Sequence, residues 1–403
     1  MDVKIYPSPL SGSIEAESLK ATALRAIIAS AFADTDTEII IKGETEDILS
    51  TVKCLTKMGA SVSNQRGKIV VSPIDFNEEQ VCPDEFDVGD SVPTFRFLAP
   101  AVSILFGGGT FVGKAKLPKK QTESYLFALS GVGFTSDRLP LKLNGKLKGG
   151  NLTVSGGVGS QAISGILMAL PLLKTGSVLT VVGDIPSSYL VEITLDVMRD
   201  FGINVERKGN IFTVGANQKY ISPKKYQLEG DYGLSAYLLC AGKFGGGVTV
   251  TGLRETTRQP EKQLLSLIDE CWENDSVSLK GVFDLIYPFT VLACYKNGDT
   301  VIKNAERKTE KSSERFTAFL SQLTKMGANV CQTQDGVIVK GQGRLKGGAF
   351  VDGFGDAKTA MALTIASTGA EEPTYLLSAE FAMKSYPAFF NDLVRLGGKC
   401  QAN

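Results

Sequence analysis

The sequence predicts an α/β fold built from repeated units, on three observations. Residues 55–60 and 323–328 both read Leu-Thr-Lys-Met-Gly-Ala. Each copy closes a stretch with apolar residues at helical spacing and opens an apolar strand. The same cadence recurs at Phe201-Gly202 before Ile203–Val205, at Leu396-Gly397 and, in weaker form, at Val132-Gly133. Gly59, Gly133, Gly202, Gly327 and Gly397 lie 74, 69, 125 and 70 residues apart, and a degenerate copy at Leu264–Trp272 divides the long interval. Six units of about 70 residues follow, each able to hold two helices and several strands and too large for an ordinary solenoid period.

At 403 residues two or three domains are expected, and 43% hydrophobic content suffices for sizeable cores. Lysine plus arginine equal aspartate plus glutamate at 43 each. That balance removes the global positive field that would draw nucleic acid or an acidic membrane, so any anion site is local. The seven cysteines form no CxxC pair or metal-ligand spacing, and histidine is absent. No metal and no cofactor are therefore expected. The odd cysteine count and the lack of a signal-peptide pattern lead us to expect a reducing cytoplasm. Apolar runs such as Phe97–Phe106 and Ile166–Leu173 fall short of the roughly 18 to 20 residues that span a bilayer. Without histidine, Ser-His-Asp and Cys-His nucleophile arrangements are excluded, leaving acid–base work to lysine and carboxylate.

Along the chain, Gly12–Ala33 combines a short strand with a small, apolar helix whose first turn is flanked by Lys20 and Arg25. Two cations at a helix start make an anion seat or a solvated basic pair. Asp90–Arg96 precedes the apolar run Phe97–Phe106 and reads as a capped turn entering a buried helix, with Pro93 in its first turn. Gly156–Gln161 is a glycine-rich turn feeding a helix, which suits either phosphate approach or structural punctuation. Asp284 sits among apolar neighbours, as a helix cap or as a buried base. The cluster Glu306–Arg315 reads as a solvated helix start. Asp356–Met361 begins another apolar helix and Lys384–Pro387 the last one. Cations thus recur at helix starts, where the macrodipole disfavours them, which points to negatively charged ligands.

In their order, these segments resemble the enolpyruvyl transferases, and within them the EPSP synthase branch, over essentially the whole chain. The family's Gly-Ser-Lys-Ser turn followed by Arg-Ala is matched by Ser18–Ala21 and Arg25-Ala26, and its Gly-Asn-x-Gly-Thr-x-x-Arg motif by Gly89–Arg96. Its Ser-Ser-Gln is matched by Gly159–Gln161, and its Gly-Asp-x-Ser-Ser-Ala loosely by Gly230–Ser235. Lys-Glu-Ser-Asp-Arg corresponds to Lys311–Arg315, Asp-His-Arg-x-Ala-Met to Asp356–Met361, and the terminal Lys-x-[Phe/Tyr]-Pro to Lys384–Pro387.

The resemblance implies a two-domain inside-out α/β barrel of six βαβαββ repeats, three per domain. One domain would be discontinuous, residues 1–12 plus 228–403, and the other would be residues 13–227, with the active site in the cleft between them. It implies transfer of the enolpyruvyl group from phosphoenolpyruvate to the 5-hydroxyl of shikimate 3-phosphate, by a monomer. Carried over, Lys20, Arg25, Ser160, Gln161, Ser187, Asp284 and Lys311 would hold shikimate 3-phosphate. Lys20, Arg96, Lys120, Gln161, Arg315, Lys358 and Lys384 would hold phosphoenolpyruvate. Asp284 would accept a proton, Lys20 and Lys384 are candidate proton carriers, and Lys311 completes the catalytic set.

The chain departs from the family at several of these positions. Val92 and Pro93 replace Gly-Thr, Ser312 replaces a glutamate, Ala357 a histidine, and Ala21 and Gly159 serines, while Lys120 and Lys358 stand where the family has arginine. Lysine keeps the charge and loses the bidentate fork. The alternative is a paralogue that binds another phosphorylated or carboxylated small molecule.

Overall fold

The computed structural model describes residues 1–65, 67–76, 81–305 and 310–402, with the side chain of Lys311 outside the description. The chain divides into two compact units, Met1–Ser18 with Glu229–Asn403 (unit 1) and Leu19–Leu228 (unit 2). Residues 13–18, expected in the inserted domain, belong to unit 1. The strand Ser11–Glu15, whose last three residues are among them, pairs in parallel with Gly247–Thr251.

Unit 1 opens with β1 (Val3–Tyr6) and β2 (Ser11–Glu15). Unit 2 then runs α1 (Lys20–Ala31), β3 (Thr37–Ile40), α2 (Glu46–Lys57), β4 (Ser61–Gln65), β5 (Lys68–Ser72), β6 (Phe86–Asp87), α3 (Val92–Phe106), β7 (Gly108–Val112), α4 (Lys119–Ala128), β8 (Gly133–Phe134) and β9 (Leu141–Asn144). It continues with β10 (Gly150–Ser155), α5 (Ser160–Ala169), β11 (Ser177–Val182), α6 (Tyr189–Asp200), β12 (Val205–Lys208), β13 (Ile211–Val214) and β14 (Lys225–Gln227). Unit 1 resumes with α7 (Tyr232–Phe244), β15 (Gly247–Thr251), α8 (Leu264–Glu273), β16 (Ser276–Ser278), α9 (Ile286–Cys294), β17 (Asn297–Lys303), α10 (Glu310–Lys325), β18 (Asn329–Gln332) and β19 (Val337–Gln342). It closes with β20 (Phe350–Asp352), α11 (Ala357–Thr368), β21 (Thr374–Leu377), α12 (Phe381–Ser385), α13 (Phe389–Arg395) and β22 (Lys399–Ala402).

The repeat is visible in the strand orders β6-β7-β9-β8, β10-β11-β13-β12 and β16-β17-β19-β18. In each, a parallel pair joined through a helix is followed by an antiparallel hairpin. Two further sheets complete the pattern with a strand distant in sequence. β14 supplies the first strand of β14-β3-β5-β4, and β1 enters β20-β21-β1-β22. Among the described residues the sixth copy, the degenerate one, is reduced to the parallel pair β2–β15. Five repeats are therefore full and one is cut down.

The recurring glycine has a local cause. Gly59, Gly202, Gly327 and Gly397 all take positive φ. Around them Ala60, Ile203, Ala328 and Gly398 donate their amides to Leu55, Met198, Leu323 and Leu393, five residues back. This is the six-to-one bond of a Schellman cap, which satisfies a terminal carbonyl and turns the chain into the next strand. At the weak copy the left-handed residue is Gly131, not Gly133. Gly327→Ala should lower stability by about 1–2 kcal/mol, the cost of a side chain in left-handed backbone, read as a lower urea midpoint at unchanged slope.

Each unit has its own hydrophobic cluster, one of residues between Leu19 and Leu228, the other joining Val3–Ile14 to Tyr232–Leu396. Helices α1, α3, α5, α7, α9 and α11 bury most of their residues. Side chains apolar on all faces make them inner helices. In unit 2, α3 and α5 pack so closely that a Cβ at Gly165 would lie 2.1 Å from the Arg96 carbonyl oxygen. Four cysteines are buried. Burial pushes the thiols of Cys54, Cys271 and Cys294 up to about 12, which makes them packing residues rather than nucleophiles. No described helix is long and apolar enough to cross a membrane.

Candidate active site

In unit 2 the starts of α1 and α5 carry Lys20 and Ser160-Gln161, and neither helix has a side-chain cap. Their first amides therefore remain available to an anion. Lys20 Nζ lies 2.7 Å from Asp47 Oδ2 at the start of α2. The start of α3 differs. Ser91 Oγ accepts the Thr94 amide at 3.2 Å and Pro93 has no amide, so Val92 alone of the first three residues keeps a donor.

Arg96 extends from α3. Its Nη1 donates to Gln161 Oε1 at 3.3 Å and its Nη2 to Gln121 Oε1 at 3.1 Å, while its carbonyl accepts Tyr125 OH at 2.7 Å. Burial lowers the pKa of the guanidinium. Both of its acceptors are neutral amides, so no carboxylate among the described residues offsets its charge.

Arg25, expected to hold a phosphorylated substrate directly, is instead enclosed at 2% exposure. Its Nε donates to Thr194 Oγ1 at 2.6 Å, Nη1 to Ala21 O at 2.6 Å, and Nη2 to Ser164 Oγ at 3.1 Å and Leu190 O at 3.0 Å. The Phe97 ring lies 4.9 Å from its Cζ. Burial pushes its pKa down to about 9, which leaves it a cation near neutrality. All four acceptors are uncharged, and the side chain pins α1 to α5 and α6. An anion nearby would meet its field rather than its N–H groups.

Lys120 is exposed on the first turn of α4. Ser187 is exposed in left-handed backbone, at φ 53°, just before α6. Among the described residues neither forms a hydrogen bond or ion pair with Lys20, Arg96 or Gln161.

In unit 1 the site centres on the start of α11. Lys358 Nζ lies 2.5 Å from Asp284 Oδ1, which projects from the turn preceding α9. Asp284 is half-exposed and no side-chain cap forms there, so it is neither of the two things its sequence context suggested. Asp356 caps α11, accepting the Thr359 amide at 3.0 Å, and its other oxygen lies 3.3 Å from Arg315 Nη1 on α10. Lys311 falls in the first turn of α10, but its side chain lies outside the described residues, as do positions 306–309 of the charge cluster. Lys384 was expected to begin the last helix. It ends the short α12 instead, 4.8 Å from the Phe381 ring, because α13 starts only at Phe389.

The two units differ electrostatically. Unit 2 holds Arg25 and Arg96 by neutral groups only, a costly arrangement unless an anion completes it. In unit 1, Lys358 and Arg315 are already paired with carboxylates, while Lys384 lies over the Phe381 ring. Sequence reasoning missed Asp47, Gln121 and Glu261. Glu261 is partly buried in the 3-10 turn Pro260–Gln263, where desolvation first, with Asp231 and Asp284, pushes its pKa up to about 7 against the pull of a backbone hydrogen bond and, more weakly, of Lys358.

The sequence model of the EPSP synthase (3-phosphoshikimate 1-carboxyvinyltransferase) family matches residues 5–393. A Clostridium perfringens protein named 3-phosphoshikimate 1-carboxyvinyltransferase is 31% identical, with 98% of each chain covered. The chain belongs to the EPSP synthase family. A Clostridioides difficile protein of the same name is 30% identical over 98% of each chain. The solved EPSP synthase from Acinetobacter baumannii superposes with a TM-score of 0.83 over 100% of both chains at 20% identity, which shows a shared fold. The EPSP synthase family thus supplies the two-domain repeat architecture, and the site residues are argued from this chain's own geometry.

Proposed function

We propose that this chain transfers the enolpyruvyl group of phosphoenolpyruvate to the 5-hydroxyl of shikimate 3-phosphate and releases phosphate. Family membership supports the reaction. On this chain, the observation that carries it is that Arg25 and Arg96 are fixed by six hydrogen bonds to uncharged acceptors, with no carboxylate among the described residues paired to either. Two polyanions must be held together for the transfer, so orientation and charge neutralisation supply much of the rate.

Lys20, Ser160, Gln161 and Ser187 are assigned to shikimate 3-phosphate, with Asp284 and Lys311. Arg25 contributes its field and the position of α1. Lys20, Arg96, Lys120 and Gln161, with Arg315, Lys358 and Lys384, are assigned to phosphoenolpyruvate. Asp284 takes the 5-hydroxyl proton as that oxygen bonds to C2, and C3 gains a proton from a lysine, Lys20 or Lys384. C3 then returns a proton, the bond from C2 to the phosphate oxygen breaks, and phosphate leaves. Lys358 must exchange Asp284 for substrate, which frees the carboxylate at the moment it is needed as a base.

Phosphate release measured with either substrate alone and with both tests this reading. Release only with both is expected. Absence of release with both present contradicts it, and favours a binding protein if shikimate 3-phosphate still raises the melting temperature. The start of α3 gives a second prediction. Pro93→Thr restores an amide donor, and one hydrogen bond to an anion contributes about 1.5 kcal/mol or more, so KM for phosphoenolpyruvate should fall about tenfold. Steady-state kinetics at varied phosphoenolpyruvate would show it.

A further inference from the structure

Gln121 has no part in the scheme above, yet it holds a residue that does. Within unit 2, Arg96 is gripped from two neighbouring helices, once on its backbone and once on its side chain by each. From α4, Tyr125 OH donates to the Arg96 carbonyl at 2.7 Å and Gln121 Oε1 accepts from Arg96 Nη2 at 3.1 Å. From α5, a Cβ at Gly165 would lie 2.1 Å from the same carbonyl oxygen, and Gln161 Oε1 accepts from Arg96 Nη1 at 3.3 Å. Residues 121 and 125, like 161 and 165, are one helical turn apart and share a face. Tyr125 is buried, which anchors α4 where Gln121 reaches the guanidinium.

Both side chains that hold this guanidinium are carboxamides. Arginine donates and never accepts, so each carboxamide must present its oxygen to Arg96 and keep its amide nitrogen as a donor. Neither nitrogen bonds to another described residue. The bracket therefore fixes a planar cation, uses only part of its donors and adds no negative charge. A carboxylate in place of Gln121 would form a shorter and stronger bond to Arg96. It would also neutralise the charge that an incoming anion needs. If holding Arg96 tightly were the whole task, glutamate would do it better.

We propose that Gln121 is a positioning residue for phosphoenolpyruvate: it aims the Arg96 guanidinium from α4 as Gln161 does from α5, and its neutrality keeps that guanidinium available to the substrate's carboxylate or phosphate. This rests on the proposed function.

The test compares the parent with Gln121→Glu and Gln121→Leu, reading KM for each substrate and the melting temperature. Gln121→Glu keeps the shape and the bond to Arg96, so its melting temperature should match or exceed the parent's. Its KM for phosphoenolpyruvate should nevertheless rise about tenfold or more, the scale of one lost hydrogen bond to a charged group. Gln121→Leu removes the acceptor without adding charge and leaves the bond to Gln161, so that KM should rise only about threefold. KM for shikimate 3-phosphate, to which Arg96 is not assigned, should stay within about twofold in both variants. A merely structural tether predicts the reverse order, with Gln121→Glu at least as good as the parent. A parental KM for phosphoenolpyruvate in Gln121→Glu, an equal rise for both substrates, or a Gln121→Leu as impaired as Gln121→Glu overturns the proposal. A parent with no turnover instead overturns the proposed function. Gln121 is then decided by titrating the melting temperature with inorganic phosphate in the presence of shikimate 3-phosphate. Gln121→Glu should need about tenfold more phosphate than the parent for the same rise. Equal responses, or none in either protein, reject the role of Gln121.

Discussion

Asp284→Ala is expected to lower turnover by more than about a hundredfold, the range of a positioned acid–base group. The fold should not suffer. Asp284 and Lys358 are both roughly half-exposed, and such a pair contributes about 0–1 kcal/mol to stability. The loss would be in kcat, because the alanine variant also releases Lys358 from its carboxylate and leaves it free for an anionic substrate. KM for phosphoenolpyruvate should stay level or fall. Steady-state kinetics of the variant beside its urea denaturation separate these effects. A variant that is equally active, or one that loses activity through unfolding, would remove Asp284 from the mechanism.

Arg25→Ala should cost about 3 kcal/mol of stability, the scale for deleting a large buried side chain. The cavity dominates this loss, since the polar groups left behind satisfy one another. Ser164 Oγ and Thr194 Oγ1 already lie 2.6 Å apart, and Thr194 also donates to Leu190 O at 2.9 Å. Arg25→Met refills most of the volume and removes a desolvated cation, so its loss should stay below about 1.5 kcal/mol. Both variants remove the charge, and both should lower kcat/KM for shikimate 3-phosphate about tenfold or more, one pKa-unit equivalent of lost interaction. Denaturation curves should therefore separate the two variants while activity does not. A methionine variant with parental kcat/KM would show that the charge is not used.

What was legible in the sequence was local. The Leu-Thr-Lys-Met-Gly-Ala segments are Schellman caps, and a cap is written in consecutive residues. Val132-Gly133 misled because the left-handed residue sits two positions earlier, at Gly131. Strand partners distant in sequence were not legible. The joining of β1 to β21 and β22, and of β14 to β3, closes sheets across most of a unit, and nothing in a strand's own letters names its partner. The reduction of the sixth copy to β2–β15 is hidden for the same reason.

At the candidate site, the family resemblance pointed to Lys20, Arg96, Gln161, Asp284 and Lys358. It missed their partners Asp47 and Gln121, and also Glu261, because partner choice is tertiary. The burial of Arg25 did leave a signal. Thr22–Ala31 is apolar or small on every face around it, the pattern of an inner helix rather than one with a solvated side. Lys384 was misplaced because Pro387 reads as a helix start, whereas the chain first ends the short α12 and begins α13 two residues later.

The most direct test of the central claim is a phosphorus NMR time course of the parent protein with phosphoenolpyruvate and shikimate 3-phosphate. Orthophosphate should grow in step with one new phosphate-monoester resonance, that of the carboxyvinyl ether of shikimate 3-phosphate, while both starting signals decline together. Orthophosphate without the new carboxyvinyl ether, or starting signals that stay unchanged through the time course, would contradict it.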